Sequence, residues 1–365
     1  MLPTLNLDEA ILLCIKYKTE LFDEGTLKNQ KPIQYTLTEA MQLYIDYLNN
    51  VNVPTYEFKK RSEGHINDVK RHFKYSMQAL ELEGINARFL SFNSLNSDHV
   101  SIIFDYMKAK KGYMNKTINK LFSTMRLFYN HLILKHNLNL TNPFLNVVTL
   151  PVKSNIEVIS KNEFEELLTK ITYENGWIRI KSDEKKNYYK TWLKSYFKLA
   201  LFTGRRREEL IMLKFSDIIH DDNNQMMFLR SEHFKVNRMK GVNSEAVKDF
   251  ILIPITSELR SLIVELGYNQ YKNSTRYLLA HDDPMQRLYM VELASKAFTH
   301  FYKMLNTERE LKFKCLRKTY ITQLFIKYGE SSRFITHHSD IEVIRRHYLD
   351  QKQLVNSVRD FKVFE

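Results

Sequence analysis

Lys190–Leu210 reads KTWLKSYFKLALFTGRRREEL, an apolar run that ends at a glycine and passes straight into three arginines and two glutamates. The run is too apolar for a surface helix, so it is expected to be buried. Thr203-Gly204 supplies the tight turn that ends it. Glu208 and Glu209 then fall in the first turn of a new helix, where unpaired amide groups favour acids. Leu210, Met212 and Leu213 give that second helix a buried face. This face restricts where Arg205, Arg206 and Arg207 can point, and at least one is expected to point inward across the turn.

Working outward, the region from about 160 to 365 reads as mostly helical with one small sheet. MMFLRSEHFKV (226–236) and KDFILIPI (248–255) are its convincing strand stretches, so residues 217–253 are expected to form a short antiparallel sheet. Asp221, Asp222, Asn223 and Asn224 read as a turn between two strands rather than as a metal site. Helices resume at SELRSLIVEL, MVELASKAFTHFYKML and RKTYITQLFIKY. Ser160 with Glu163 forms a capping-box signal that opens this region. Ahead of it, VVTLPVKSNIEVI (147–159) has a proline, β-branched residues and no helical period, and reads as an extended linker.

Residues 35–146 are helical throughout. TLTEAMQLYIDYLNN buries Leu37, Ala40, Met41, Tyr44, Ile45 and Leu48 on one face, with Thr36 or Thr38 as its cap. A second helix ends at Gly84, and a third runs from a Ser97 cap to Gly112. The fourth, NKTINKLFSTMRLFYNHLILKH, is the most regular. Its apolar stripe is Ile118, Leu121, Phe122, Met125, Phe128, Tyr129 and Leu132, and its other face carries Lys116, Thr117, Lys120, Ser123 and Arg126. Residues 1–34 stand apart as a short segment with one helix from Leu5 to Gly25, closed off by Pro32. The expected organisation is therefore 1–34, 35–146, a linker at 147–159, and 160–365.

The formal charge of +13 over 365 residues suits a polyanionic partner, most commonly nucleic acid. Other classes find no support. GxGxxG, GxxxxGK[ST] and HExxH patterns are absent, and two cysteines are too few for a disulfide framework or a zinc cage. No apolar run is long enough for a membrane span, and the N-terminus lacks the features of a signal peptide. A cytoplasmic, nucleoid-associated protein with no metal and no cofactor is expected.

Two further stretches carry chemistry. KCLRKTY (314–320) opens a helix with Arg317, and THHSDIEVIRRHY (336–348) places Tyr348 ten positions after His338, with Ser339 and Glu342 in a capping-box pattern. Two guanidinium groups, an imidazole and a phenol among basic residues suit attack of a tyrosine oxygen on a phosphodiester. In order and spacing, the three stretches resemble the boxes of the tyrosine recombinase, or phage integrase, family. TGRRREEL matches that family's T-G-x-R-x-x-E-L, which implies that Arg206 is the first catalytic arginine and Glu209 its supporting acid. KCLRKT resembles H-x-L-R-H-T, implying Arg317 as the second, with Lys314 standing where the family has histidine. HHS followed by Tyr348 is similar to G-H-S and its tyrosine, with His337 in place of the glycine. The family's hairpin lysine is best matched by Lys235, and next by Lys240.

The resemblance implies a mainly α fold with a small antiparallel sheet. A helical core-binding domain and a catalytic domain would form a C-shaped clamp on double-stranded DNA. Residues 1–34 are similar to the last helix of the family's arm-binding domain. The resemblance also implies strand cleavage and rejoining through a 3′-phosphotyrosine, as in integration or excision of a mobile element, by a homo-tetramer on DNA. DNA-bending or directionality proteins are possible accessories. A tail stripe of Leu354, Val358 and Phe361 is expected to dock on a neighbouring subunit. Lys116, Thr117, Lys120 and Arg126 are expected to contact DNA, as are Lys59, Lys60 and Arg61, with Lys70, Arg71 and Lys74 extending that basic surface. The rival readings are a type IB-like topoisomerase and a catalytically silent DNA-binding regulator.

Overall fold

The computed structural model describes residues 35–152, 156–179, 184–239, 249–279, 284–336 and 340–349. The segment 1–34, His338, Ser339, Lys240 and the tail beyond residue 349 lie outside the described residues. The chain divides into two compact units between Val152 and Lys153.

The first unit is built from α1 (Leu37–Leu48), α2 (Glu63–Leu82), α3 (Ser97–Asp105) and α4 (Asn115–Lys135). Thr36 opens α1 with a full capping box to Glu39, which satisfies two otherwise unpaired amides. The α3 cap is Asn96 rather than Ser97: its side chain accepts from the Asp98 and His99 amides. After Asp105 the backbone widens into a π turn, Tyr106–Lys110. The expected stripe of α4 is buried from Ile118 to Leu132. It packs into an aromatic core in which Phe92 stacks on Tyr129 and Phe73 meets Phe128.

Two of the arginines expected to face DNA are engaged inside this unit. Arg126 donates through Nε to the Phe144 carbonyl (3.1 Å) and through Nη2 to the Val147 carbonyl (2.8 Å), tying the chain after Asn142-Pro143 back onto α4. Arg61 donates to the Tyr47 and Leu48 carbonyls, each at 3.3 Å, and lies over the Tyr47 ring. It thus adds a donor to carbonyls in the last turn of α1, which have no full set of partners within the helix. Lys59, Lys60, Lys116 and Lys120 are exposed, and Thr117 is half-buried.

The second unit opens with α5 (Lys161–Lys170), capped by the Ser160–Glu163 box. A small hairpin follows, β1 (Trp177–Arg179) against β2 (Lys185–Asn187). Then come α6 (Leu193–Thr203) and the single turn α7 (Arg207–Leu210). An antiparallel sheet in sequence order comprises β3 (Ile218–His220), β4 (Met226–Glu232) and β5 (Phe250–Pro254). Asp221 makes the β3–β4 turn, its Oδ1 accepting from the Asn223 and Gln225 amides.

The expected strand 226–236 stops at Glu232. HFKVNRM turns instead into α8 (Phe234–Met239), with the Val236 and Asn237 amides donating to the His233 carbonyl. Helices α9 (Ser257–Glu265), α10 (Tyr268–Tyr271), α11 (Pro284–Lys303), α12 (Cys315–Tyr328), α13 (Ser332–Thr336) and α14 (Ile341–His347) complete the unit. As expected from its apolarity, α6 is buried, with Leu193, Tyr196, Phe197, Leu199 and Ala200 in the core. It packs against α9 and α12. Among the described residues no helix is long and apolar enough to cross a membrane.

Candidate active site

The site grows from the end of α6. Gly204 caps that helix at φ 60° in the left-handed region, where a Cβ is costly, and a Cβ built there would lie 2.1 Å from Cδ1 of Tyr320 on α12. The absence of a side chain therefore lets α12 close onto the turn. Across that approach Arg317, also on α12, donates from Nη1 to the Gly204 carbonyl at 2.5 Å. This bond joins the first arginine box to the second.

Arg206 begins α7 and Glu209 sits three residues on, so the carboxylate reaches back to the start of its own helix. Glu209 Oε2 accepts from the Arg206 amide at 2.9 Å, and Oε1 accepts from Arg206 Nη1 at 3.2 Å. The Glu209 side chain is 1% exposed and that of Arg206 38%, so the guanidinium is anchored from below while its outer edge remains open. The inward-pointing arginine is Arg205, 3% exposed and 2.9 Å from Glu209 Oε2. Burial, opposed by Glu209, brings its pKa down to about 10, with Arg317 and Arg206 adding repulsion. Arg207 is exposed and donates to Ser295 Oγ at 3.2 Å.

Tyr348 caps the C-terminus of α14, its amide donating to the Ile344 carbonyl at 2.9 Å. The N-cap of this helix is Asp340, whose carboxylate accepts from the Glu342 amide, so the Ser339 capping role is not what starts it. Thr322 Oγ1 on α12 donates to the Tyr348 carbonyl at 2.6 Å. Ile344 and Leu349 bury against Ile321 of α12. These contacts place the phenol beside the second arginine: Arg317 Nε lies 3.4 Å from Tyr348 Oη, and its guanidinium carbon 5.4 Å from the ring centre.

The structure thus pairs Arg206 with Glu209 and Arg317 with Tyr348, and ties Arg317 to the carbonyl of Gly204, two residues before Arg206. Lys314 is exposed at the N-cap of α12, one turn before Arg317. The Lys235 backbone lies in α8 rather than on a strand, while Lys240 and His338 lie outside the described residues. Sequence reasoning missed Thr322 and the Gly204 carbonyl as fixtures of the site, because hydrogen bonds between distant chain segments have no local signature. The Arg205–Glu209 pairing did have one, an arginine and a glutamate at the i, i+4 spacing.

The sequence profile of the Phage integrase family matches residues 157–353, more than half of the chain. No match was found among curated protein sequences. Solved structures resemble the chain at the level of fold. A lambda integrase dimer bound to a COC′ core site has a TM-score of 0.60 at 16% identity, covering 98% of this chain and 89% of its own. A lambda integrase tetramer bound to a Holliday junction gives 0.59 at 15% identity, covering 92% and 89% respectively. The Tn1549 transposon integrase in complex with a circular intermediate DNA gives 0.58 at 16% identity, covering 88% and 98%. With Arg317 linking the turn of the first arginine box to Tyr348, a mainly helical fold with small antiparallel sheets, and a profile match over most of the second unit, the chain belongs to the phage integrase family of tyrosine recombinases.

Proposed function

We propose that this chain is a site-specific recombinase of mobile-element type, cutting and rejoining double-stranded DNA through Tyr348. The observation that carries the reading is the position of Arg317, which touches both the Gly204 carbonyl and the Tyr348 hydroxyl. One cation therefore stands where a phosphate and its nucleophile must meet.

Arg206 and Arg317 are suited to hold the non-bridging oxygens of the scissile phosphate with planar, permanently charged forks. Negative charge grows on those oxygens as the pentacoordinate state forms, and cations already in place stabilise that state most. The Tyr348 oxygen bonds to phosphorus as the bond to the 5′ oxygen breaks. The phenolic proton passes to a neighbouring base, for which Lys314 and His338 are proposed. The 5′ oxygen leaves as a hydroxyl, with Lys235 proposed as its proton donor. The product is a 3′-phosphotyrosine, an ester close in energy to the one broken, so a 5′-hydroxyl from another duplex reverses the step without ATP.

Exchange between two duplexes requires four such sites, which is why a homo-tetramer on DNA is part of the proposal. Lys59, Lys60, Lys116, Thr117 and Lys120 are its proposed DNA contacts in the first unit. DNA-bending or directionality proteins are proposed as accessories.

The test is incubation with a nicked suicide substrate carrying the element ends, followed by a denaturing gel. The expected result is a covalent protein–DNA band that disappears in Tyr348→Phe. Recombinant joints between two labelled sites, rather than supercoil relaxation alone, are expected from the same preparation. A folded, duplex-binding chain that never captures DNA contradicts the proposal.

A further inference from the structure

Arg205 does not face the position assigned to phosphate, yet it is a fully buried cation next to the site, and burying a charge is expensive unless it is paired. It lies among Thr203, Ile251, Ile253 and Tyr320, around a residual space of ≈ 10 Å³, about room for one water. An apolar side chain of similar volume would fill this place at lower cost. The only carboxylate paired with Arg205 among the described ion pairs is Glu209, the group that also holds Arg206. Its other hydrogen bond, to the Glu232 carbonyl, is long at 3.5 Å, and Nε finds no acceptor among the described residues. The guanidinium is thus poorly served as a packing element and well placed for one task.

That task follows from charge. The Glu209 carboxylate carries one negative charge and meets two guanidinium groups. Oε2 is taken by Arg205 and by the Arg206 amide, leaving Oε1 for Arg206 Nη1. With both oxygens so divided, Arg206 makes a single side-chain bond to the carboxylate and keeps the rest of its fork open. Without Arg205, a buried carboxylate has Arg206 as its sole ionic partner, and the two-pronged arginine–carboxylate pair becomes the favoured arrangement.

We infer that Arg205 is a positioning residue: by occupying one oxygen of Glu209, it prevents the carboxylate from capturing the Arg206 guanidinium and leaves that group available to the scissile phosphate. This rests on the strand-cleavage reading above.

The test is a mutant cycle read as single-turnover cleavage of the suicide substrate at saturating DNA. Arg205→Met is expected to slow cleavage about a hundredfold, the scale seen when a preset charge-stabilising donor is lost. Arg205→Lys, which keeps the charge, is expected to recover most of that loss. The decisive comparison is between Glu209→Gln and the double variant Arg205→Met/Glu209→Gln. Once the carboxylate is neutral there is nothing to hold back, so the two are expected to cleave at equal rates, and the double variant faster than Arg205→Met alone. If Arg205→Met alone does not fold, the rates of Glu209→Gln and the double variant still decide, each read on the folded fraction measured by thermal melting, because Glu209→Gln leaves Arg205 buried without its carboxylate partner.

A double variant slower than Glu209→Gln means that Arg205 is packing only and overturns the proposal. An Arg205→Met enzyme as fast as wild type does the same. A wild-type chain that forms no covalent band overturns the cleavage reading and takes this inference with it, whereas a normal wild-type band with additive losses overturns the inference alone.

Discussion

At the scale of single residues, the site depends on one missing side chain. Gly204→Ala must place a Cβ in a left-handed backbone, at a cost of about 1–2 kcal/mol, and must also displace the Tyr320 ring, whose Cδ1 would lie 2.1 Å from the added Cβ. Because Arg317 is bonded to the carbonyl of that same glycine, the substitution is expected to reduce cleavage by more than its loss of stability explains. Urea unfolding alongside single-turnover cleavage measures both quantities. If Gly204→Ala lowers the urea midpoint but leaves the cleavage rate of the folded fraction intact, the link from the turn to Arg317 is not functional. The choice of residues at this turn was largely readable: the spacing and order of the boxes single out Arg206, Arg317 and Tyr348. Which of three consecutive arginines turns inward was not readable. That depends on the φ of Gly204 and on Glu209 lying one turn further on, facts of three-dimensional direction that a run of identical letters conceals.

At the scale of elements, α4 separates two kinds of basic residue that look alike in sequence. Lys116 and Lys120 are exposed, whereas Arg126 is spent on the Phe144 and Val147 carbonyls. Replacing either lysine with alanine is expected to reduce the salt dependence of duplex binding by about one counterion, with similar weakening for specific and random DNA. Arg126→Ala is expected to leave that slope unchanged and to lower the melting temperature instead, since two partly buried hydrogen bonds to carbonyls are lost. Fluorescence anisotropy over a salt series, together with thermal melts, distinguishes the two. An unchanged slope for both lysine variants would remove α4 from the DNA-facing surface.

The long helices were legible because burial imposes a period on ten or more residues. The β1–β2 hairpin was not, since Trp177–Arg179 and Lys185–Asn187 are too short to show alternation. The strand read through His233–Val236 failed for a related reason: β-favouring residues there follow Glu232 into a local helical turn, where His233 supplies the first carbonyl.

At the scale of the whole molecule, two separate cores imply two responses to stress. In the first unit His72 is 4% exposed and its pKa is lowered to about 4, mainly by burial, with Arg71 and Lys120 adding repulsion and Asp68 opposing. Thr124 Oγ1 donates a hydrogen bond to the Lys120 carbonyl, so His72 Nδ1–H donates to Thr124 Oγ1 at 2.8 Å, and the lowered pKa keeps the ring neutral near pH 7. The unfolded chain takes up this proton near pH 6.5 and the folded one only near 4. The stability held above pH 6.5 is therefore lost progressively as pH falls to about 4, on the order of 3 kcal/mol. In calorimetry across that range, the transition of the first unit is expected to shift down in temperature, and to shift less in His72→Gln. Equal shifts in both proteins would rule out His72 as the titrating group.

The second unit holds Tyr348, the proposed nucleophile, differently, with the main chain pinned by Thr322 and the phenol beside Arg317. In the proposed intermediate, a severed strand is therefore moored to the same rod that carries its counter-charge. Resealing then needs only an incoming hydroxyl, not reassembly of the pocket, so the break and its repair share one rigid mount.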